Sequence, residues 1–143
     1  MNQLENTKTV ATVIDGTDIS LAVDTKGFVK ASIDVVFEPV GSGGDVSNPI
    51  ASALALQQSD TNGSYADLSG FVGGTDFTVP TPAGEDTVES VRFDVDLRGK
   101  KRYLHVDGTK AASGGVAVVV RLGRAEQGPN TAAEKGVDVA VSG

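Results

Sequence analysis

From Val91 to Arg98 the chain changes character at every residue. Val91, Phe93, Val95 and Leu97 are apolar, and Arg92, Asp94, Asp96 and Arg98 between them are charged. Successive side chains of a strand point to opposite faces, whereas a helix would spread those charges around its circumference. The segment therefore predicts a strand with one buried and one wetted face. The same period recurs at Ile19, Leu21 and Val23 against Asp18, Ser20 and Asp24, and again at Val29, Ala31, Ile33, Val35 and Phe37. Pro39 closes that third run, because it cannot donate to a ladder. Thr9 to Ile14 is β-prone, and Arg102 to Val106 follows a turn at Gly99-Lys100. Val116 to Leu122 is almost wholly apolar and predicts a central strand covered on both faces.

Turn chemistry separates these runs. Asp15-Gly16, Lys26-Gly27, Asp60-Thr61-Asn62-Gly63 and Asp107-Gly108 all read as turns. Residues 41–48 read as a flexible Gly/Ser/Asp/Asn loop, and residues 69–86 as a second loop in which only Phe77-Thr78-Val79 is extended. Ala51 to Gln57 is favoured as a strand through Leu54 and Leu56, with a short helix in Ala51–Gln58 or Thr131–Lys135 as the alternative. The 21 Val against 7 aromatics suit a pleated surface, since branched aliphatics already have restricted side-chain torsions. No repeat of about 20–50 residues occurs, which disfavours propellers and solenoids. The expected fold is all-β, an antiparallel sandwich or barrel of jelly-roll type with about eight strands and at most one short helix.

A chain of 143 residues fits one domain. It divides into an N-terminal arm (1–8), a β domain (9–123) and a C-terminal tail (124–143), in which Val137, Val139 and Val141 form a candidate last strand. With no Cys, there is neither a disulfide nor a thiolate metal site. Met1 to Asn6 lacks the basic and apolar regions of a secretory signal, and no apolar run approaches the roughly 20 residues of a membrane helix. A net charge of −7 argues against a surface devoted to phosphate backbones. Neither nucleic acid nor membrane is expected as a partner.

Four features of the sequence bear on chemistry. His105 is the only histidine, and no nucleophile elbow accompanies it, so it reads as a polar-face residue of a strand. Asp60-Thr61-Asn62-Gly63-Ser64 resembles the start of a calcium loop but lacks the downstream Glu; a turn accounts for it. Asp94 and Asp96 share a strand face as paired carboxylates would, yet Arg92 and Arg98 flank them, which describes a solvated face. Gly41-Ser42-Gly43-Gly44 lacks the Lys and helix of a phosphate loop. No catalytic, cofactor-binding or metal-binding residue is assigned, no cofactor is implied, and the chain does not read as an enzyme.

Two segments carry a resemblance. Leu54 to Leu68 forms a strand-turn-strand of the pattern "LQ-S-D-(turn)-aromatic-x-D". Lys100 to Val106 is a "K-R-Y-hydrophobic" strand followed by the Val-rich Val116–Leu122. Over residues 28–124 this order resembles bacteriophage capsid cement, or head-decoration, proteins of jelly-roll type from tailed phages. The resemblance implies a structural protein on the outside of an expanded capsid, assembled in the host cytoplasm and carried on the virion. It implies contact with the major capsid protein and self-association on the lattice as a dimer or trimer. It carries over no individual functional residue, and residues 1–8 and 124–143 depart from it. The rival expectation is a carbohydrate- or receptor-binding sandwich of a tail or adhesin, for which Tyr65, Phe71, Phe77 and Tyr103 are the available aromatics. A tail-tube or connector subunit is a third.

Overall fold

The computed structural model describes residues 7–111 and 114–123. Among the described residues eight strands follow one another: β1 (Lys8–Ile14), β2 (Asp18–Asp24), β3 (Lys30–Phe37), β4 (Ala51–Ser59), β5 (Ala66–Val72), β6 (Glu89–Asp96), β7 (Tyr103–Lys110) and β8 (Val116–Gly123). No helix occurs among the described residues, and Ala51–Gln58 is strand. The residues of the other helix candidate, and of the expected strand at Val137–Val141, lie outside the described residues.

The strands form two four-stranded antiparallel sheets, ordered β1-β8-β3-β6 and β2-β7-β4-β5. First pairs with last, second with seventh, third with sixth, and fourth with fifth. This nested pairing, dealt alternately into two sheets, is the connectivity of a jelly roll, so the all-β sandwich expected from the alternation is what the chain adopts.

The core lies between the sheets. Ile33 of β3 pairs with Phe93 on one side and Val120 on the other, and Val35 with Val91 and Val118. Opposing them, Ile19, Val23, Leu54, Leu56, Leu104 and Val106 are buried from the second sheet. Burying each such side chain contributes roughly 1.5–3 kcal/mol. Phe71 and Phe77 meet Phe93 edge-on, with ring centroids 6.1 and 5.4 Å apart, and close one end of this core.

Several local expectations change. Asp107-Gly108 is no turn; β7 runs straight through it. Gly108 is buried, and a Cβ there would come within 2.7 Å of the Ala53 carbonyl and 3.2 Å of Ile19, so its neighbours occupy the space a side chain would need. Residues 69–72 belong to β5, which shortens the second loop. Val116–Leu122 is central in its sheet but covered on one face only: the even-numbered residues are buried, whereas Ala117 and Val119 point outward and are half-buried. Lys8, expected in the arm, opens β1 opposite Leu122. The loop at 41–48 is tethered, since Gly41 N donates to Glu85 O and Gly43 N to Glu85 Oε1.

The edges of the sheets bear on association. Gly73 N donates to Leu54 O of β4, so the preceding N–H, of Val72, faces away from β4. There the Asp76 carboxylate accepts from both Gly70 N and Val72 N at 3.0 Å. One side chain thus satisfies two donors on the open edge of β5, where another chain could otherwise add.

Candidate functional site

The outer face of β1-β8-β3-β6 carries the charges of the alternating strand. Arg92 forks onto Asp34 at 2.8 and 3.1 Å, Ser32 donates to Asp94 at 3.0 Å, and Arg98 closes on Asp96 at 2.7 Å. The Arg98 guanidinium holds the Asp96 carboxyl well below the usual carboxylate range, and Asp34 raises Arg92. Asp94 and Asp96 therefore serve separate partners rather than one reaction centre.

One end of the same face is apolar. Val13 pairs with Ala117 and Ala117 with Val36, giving a strip across three strands that Val88 extends just ahead of β6. Val13 and Val88 are 71% and 59% exposed, unusually high for valine. They flank a hollow of about 200 Å³, lined also by Val36, Glu38, Pro39 and Ala117. Glu38 braces one wall by accepting from Gly115 N at 2.8 Å. Lys110 braces the adjoining turn through the Asp15 and Gly114 carbonyls. Sequence reading passed over this hollow, because Val13 and Val88 each look like ordinary β residues and only the register brings them around Ala117.

The outer face of β2-β7-β4-β5 is polar and linked. Ser20 Oγ lies 2.8 Å from His105 Nε2, His105 Nδ1 is 3.0 Å from Gln57 Oε1, and Gln57 Nε2 donates to Asp67 at 3.0 Å. Four strands contribute one residue each. Tyr65 stacks on His105 with ring centroids 4.6 Å apart, and its hydroxyl donates to Asn62 Oδ1 at 2.6 Å. Burial lowers the histidine's proton affinity, opposed in part by the Asp107 carboxylate two residues along. Burial also raises Tyr65, with a smaller contribution from Tyr103. Arg102 lies over the Tyr103 ring at 5.0 Å and pairs with Asp24, whose carboxyl it lowers.

Ser20 and His105 stand as a nucleophile and base would. The group behind the histidine is the neutral amide of Gln57, however, which cannot stabilise an imidazolium as a carboxylate does. In the Asp60–Ser64 segment Asn62 accepts from Tyr65, Asp60 pairs with Lys101 at 3.5 Å, and Gly63 O accepts from Ser59 Oγ, which holds the turn. Among the described residues no group of three or more His, Asp or Glu is arranged to hold a metal ion. Of the four aromatics expected near loops, Phe71 and Phe77 pack on the core, while Tyr65 and Tyr103 stay on the outer face. In comparisons with known proteins, the chain matches no family model and no curated sequence.

Proposed function

We propose that this chain is a structural cement protein that binds the outer surface of an expanded phage capsid and strengthens contacts between major capsid protein subunits. The observation that supports this is the pair of exposed valines, Val13 and Val88, astride the hollow floored by Ala117 and Val36. Burying two exposed valines and the apolar hollow between them against a partner would remove that surface from water, which favours docking there. Glu38 is the charged residue of its lining and is already engaged by Gly115 N, so a complementary site would offer chiefly an apolar side chain.

A stable interface buries about 1,200–2,000 Å² in total, far more than the hollow alone. The hollow is thus the anchor, and the charged rows beside it form the rim. Binding only the assembled lattice stabilises that state by mass action, repeated at every equivalent position. Neighbouring copies on the lattice associate as dimers or trimers, and the protein resides on the virion. The role needs no catalytic group.

The test is co-sedimentation of the purified protein with expanded capsids stripped of accessory proteins. Saturation at a fixed ratio to the major capsid protein, with capsids that then resist heat, is the expected result. Absence of binding would overturn the proposal in favour of a tail or receptor-binding component.

A further inference from the structure

We propose that the outer face of β2-β7-β4-β5 is a separate binding site that takes a neutral, hexose-based glycan. It goes beyond the cement role and does not depend on it. The chain sorts its aromatic residues sharply. All five Phe pack in or against the core, while both Tyr and the single His gather on this one outer face.

The rings are held in place from several sides. His105 is fixed by Ser20 and Gln57, and Tyr65 by its stack on His105 and its bond to Asn62. A platform ordered before binding loses little entropy when a ligand arrives. Tyr103, His105 and Asp107 project from the same face of β7 and span about 14 Å, enough for a short oligosaccharide. Pyranose rings present C–H faces that pack on aromatic rings and hydroxyls that need directional partners. The Asp107 carboxylate has no hydrogen-bond partner among the described residues and sits opposite Ser20 in the register. Ser20 gives its proton to His105, which leaves its oxygen as an acceptor. The face is therefore rich in acceptors, which suits a polyol that donates. Asp18, Asp67 and Asp107 outweigh the cation Arg102, which is already paired with Asp24, so the face disfavours sialylated, sulfated and phosphorylated ligands.

The chain has no Trp, so its intrinsic emission comes from Tyr65 and Tyr103 alone, and both lie at the site. The experiment titrates the full-length protein with oligosaccharides ending in galactose, glucose, mannose or N-acetylglucosamine, following tyrosine fluorescence. Sialylated and sulfated glycans and an oligolysine peptide serve as comparisons. A saturable response to a neutral glycan is expected. It should weaken at least about tenfold in Tyr65→Ala and in Asp107→Asn, whose melting temperatures report whether each is folded. Asp107→Asn removes only a charge at a half-buried position and keeps the test valid if the tyrosine variant unfolds. No response to any neutral glycan at millimolar concentration overturns the proposal. So does binding that survives both substitutions, or a response to oligolysine alone. Capsid co-sedimentation is scored separately, so each proposal fails independently.

Discussion

Ser20 Oγ and His105 Nε2 lie 2.8 Å apart on adjacent strands, although 85 residues separate them in the chain. The bond has a fixed direction. Gln57 Nε2 donates to the Asp67 side chain, so the amide turns its carbonyl toward His105. Nδ1 of the histidine then carries the proton, and Nε2 accepts from Ser20. Nitrogen NMR at neutral pH should show the Nδ1–H tautomer, and Gln57→Ala, which removes the acceptor facing Nδ1, should weaken that preference. Burial lowers the folded pKa below the ordinary 6.5. The unfolded chain therefore takes up this proton first, and stability falls as pH drops from about 6.5 toward the folded value. The slope cannot exceed about 1.4 kcal/mol per pH unit for one proton. Denaturant titrations across that range should show the slope in the native chain and lose it in His105→Gln.

Phe93 is the joint between the sheet core and the loop aromatics. It is 4% exposed and meets both Phe71 and Phe77. Phe93→Ala should destabilise the fold by about 3–5 kcal/mol, and Phe93→Asp should prevent folding. A Phe93→Asp variant that is soluble and melts like the parent would contradict this packing.

Gly108 has no room for a methyl group. A Cβ would sit 2.7 Å from the Ala53 carbonyl, which belongs to the ladder, and about 3.3 Å from Leu54. Gly108→Ala should lower stability by about 1–3 kcal/mol, against the usual benefit of replacing glycine within regular structure. Thermal melts of the variant decide it.

Asp76→Ala removes the acceptor for two N–H groups on the open edge of β5. The expected loss is about 1–3 kcal/mol, the effect of a pair of weakened charge-assisted bonds. Concentration-dependent association should also appear in light scattering, because the uncovered edge can template another strand.

Val13→Asp and Val88→Asp should leave the melting temperature nearly unchanged, since both side chains are mostly in water. Each should abolish or greatly weaken capsid co-sedimentation. Full capsid occupancy by both variants would remove the hollow from the docking surface.

Much of the architecture was legible in local pattern. The unbroken alternation at Val91–Leu97 and Val29–Phe37 became β6 and β3 with the expected faces inward. Ala51–Ser59 was ambiguous for a physical reason: register irregularities between Ala51 and Ala53, and between Ala55 and Gln57, place Leu54, Ala55 and Leu56 all in the interior. Asp107-Gly108 misled because a dipeptide rule registers turn preference but not the Ile19 and Leu54 side chains that fill the space above a glycine. His105 read correctly as a polar-face residue. Its partners did not, because Ser20, Gln57 and Asp67 reach it only through pairings between distant strands. The exposed strip at Val13, Ala117 and Val36 was hidden for the same reason.

The nested pairing also sets a timetable. Among the described residues β1 has β8 as its one strand neighbour, so the earliest of the eight strands to be made pairs only with the latest. At roughly 5–20 residues per second, Lys8–Ile14 waits several seconds on the ribosome before Val116–Gly123 emerges. The β4–β5 hairpin can close early, but the sandwich cannot be completed until β8 has emerged. Closure of the sandwich therefore waits for β8, and its dependence on pairing between distant segments makes that step slow.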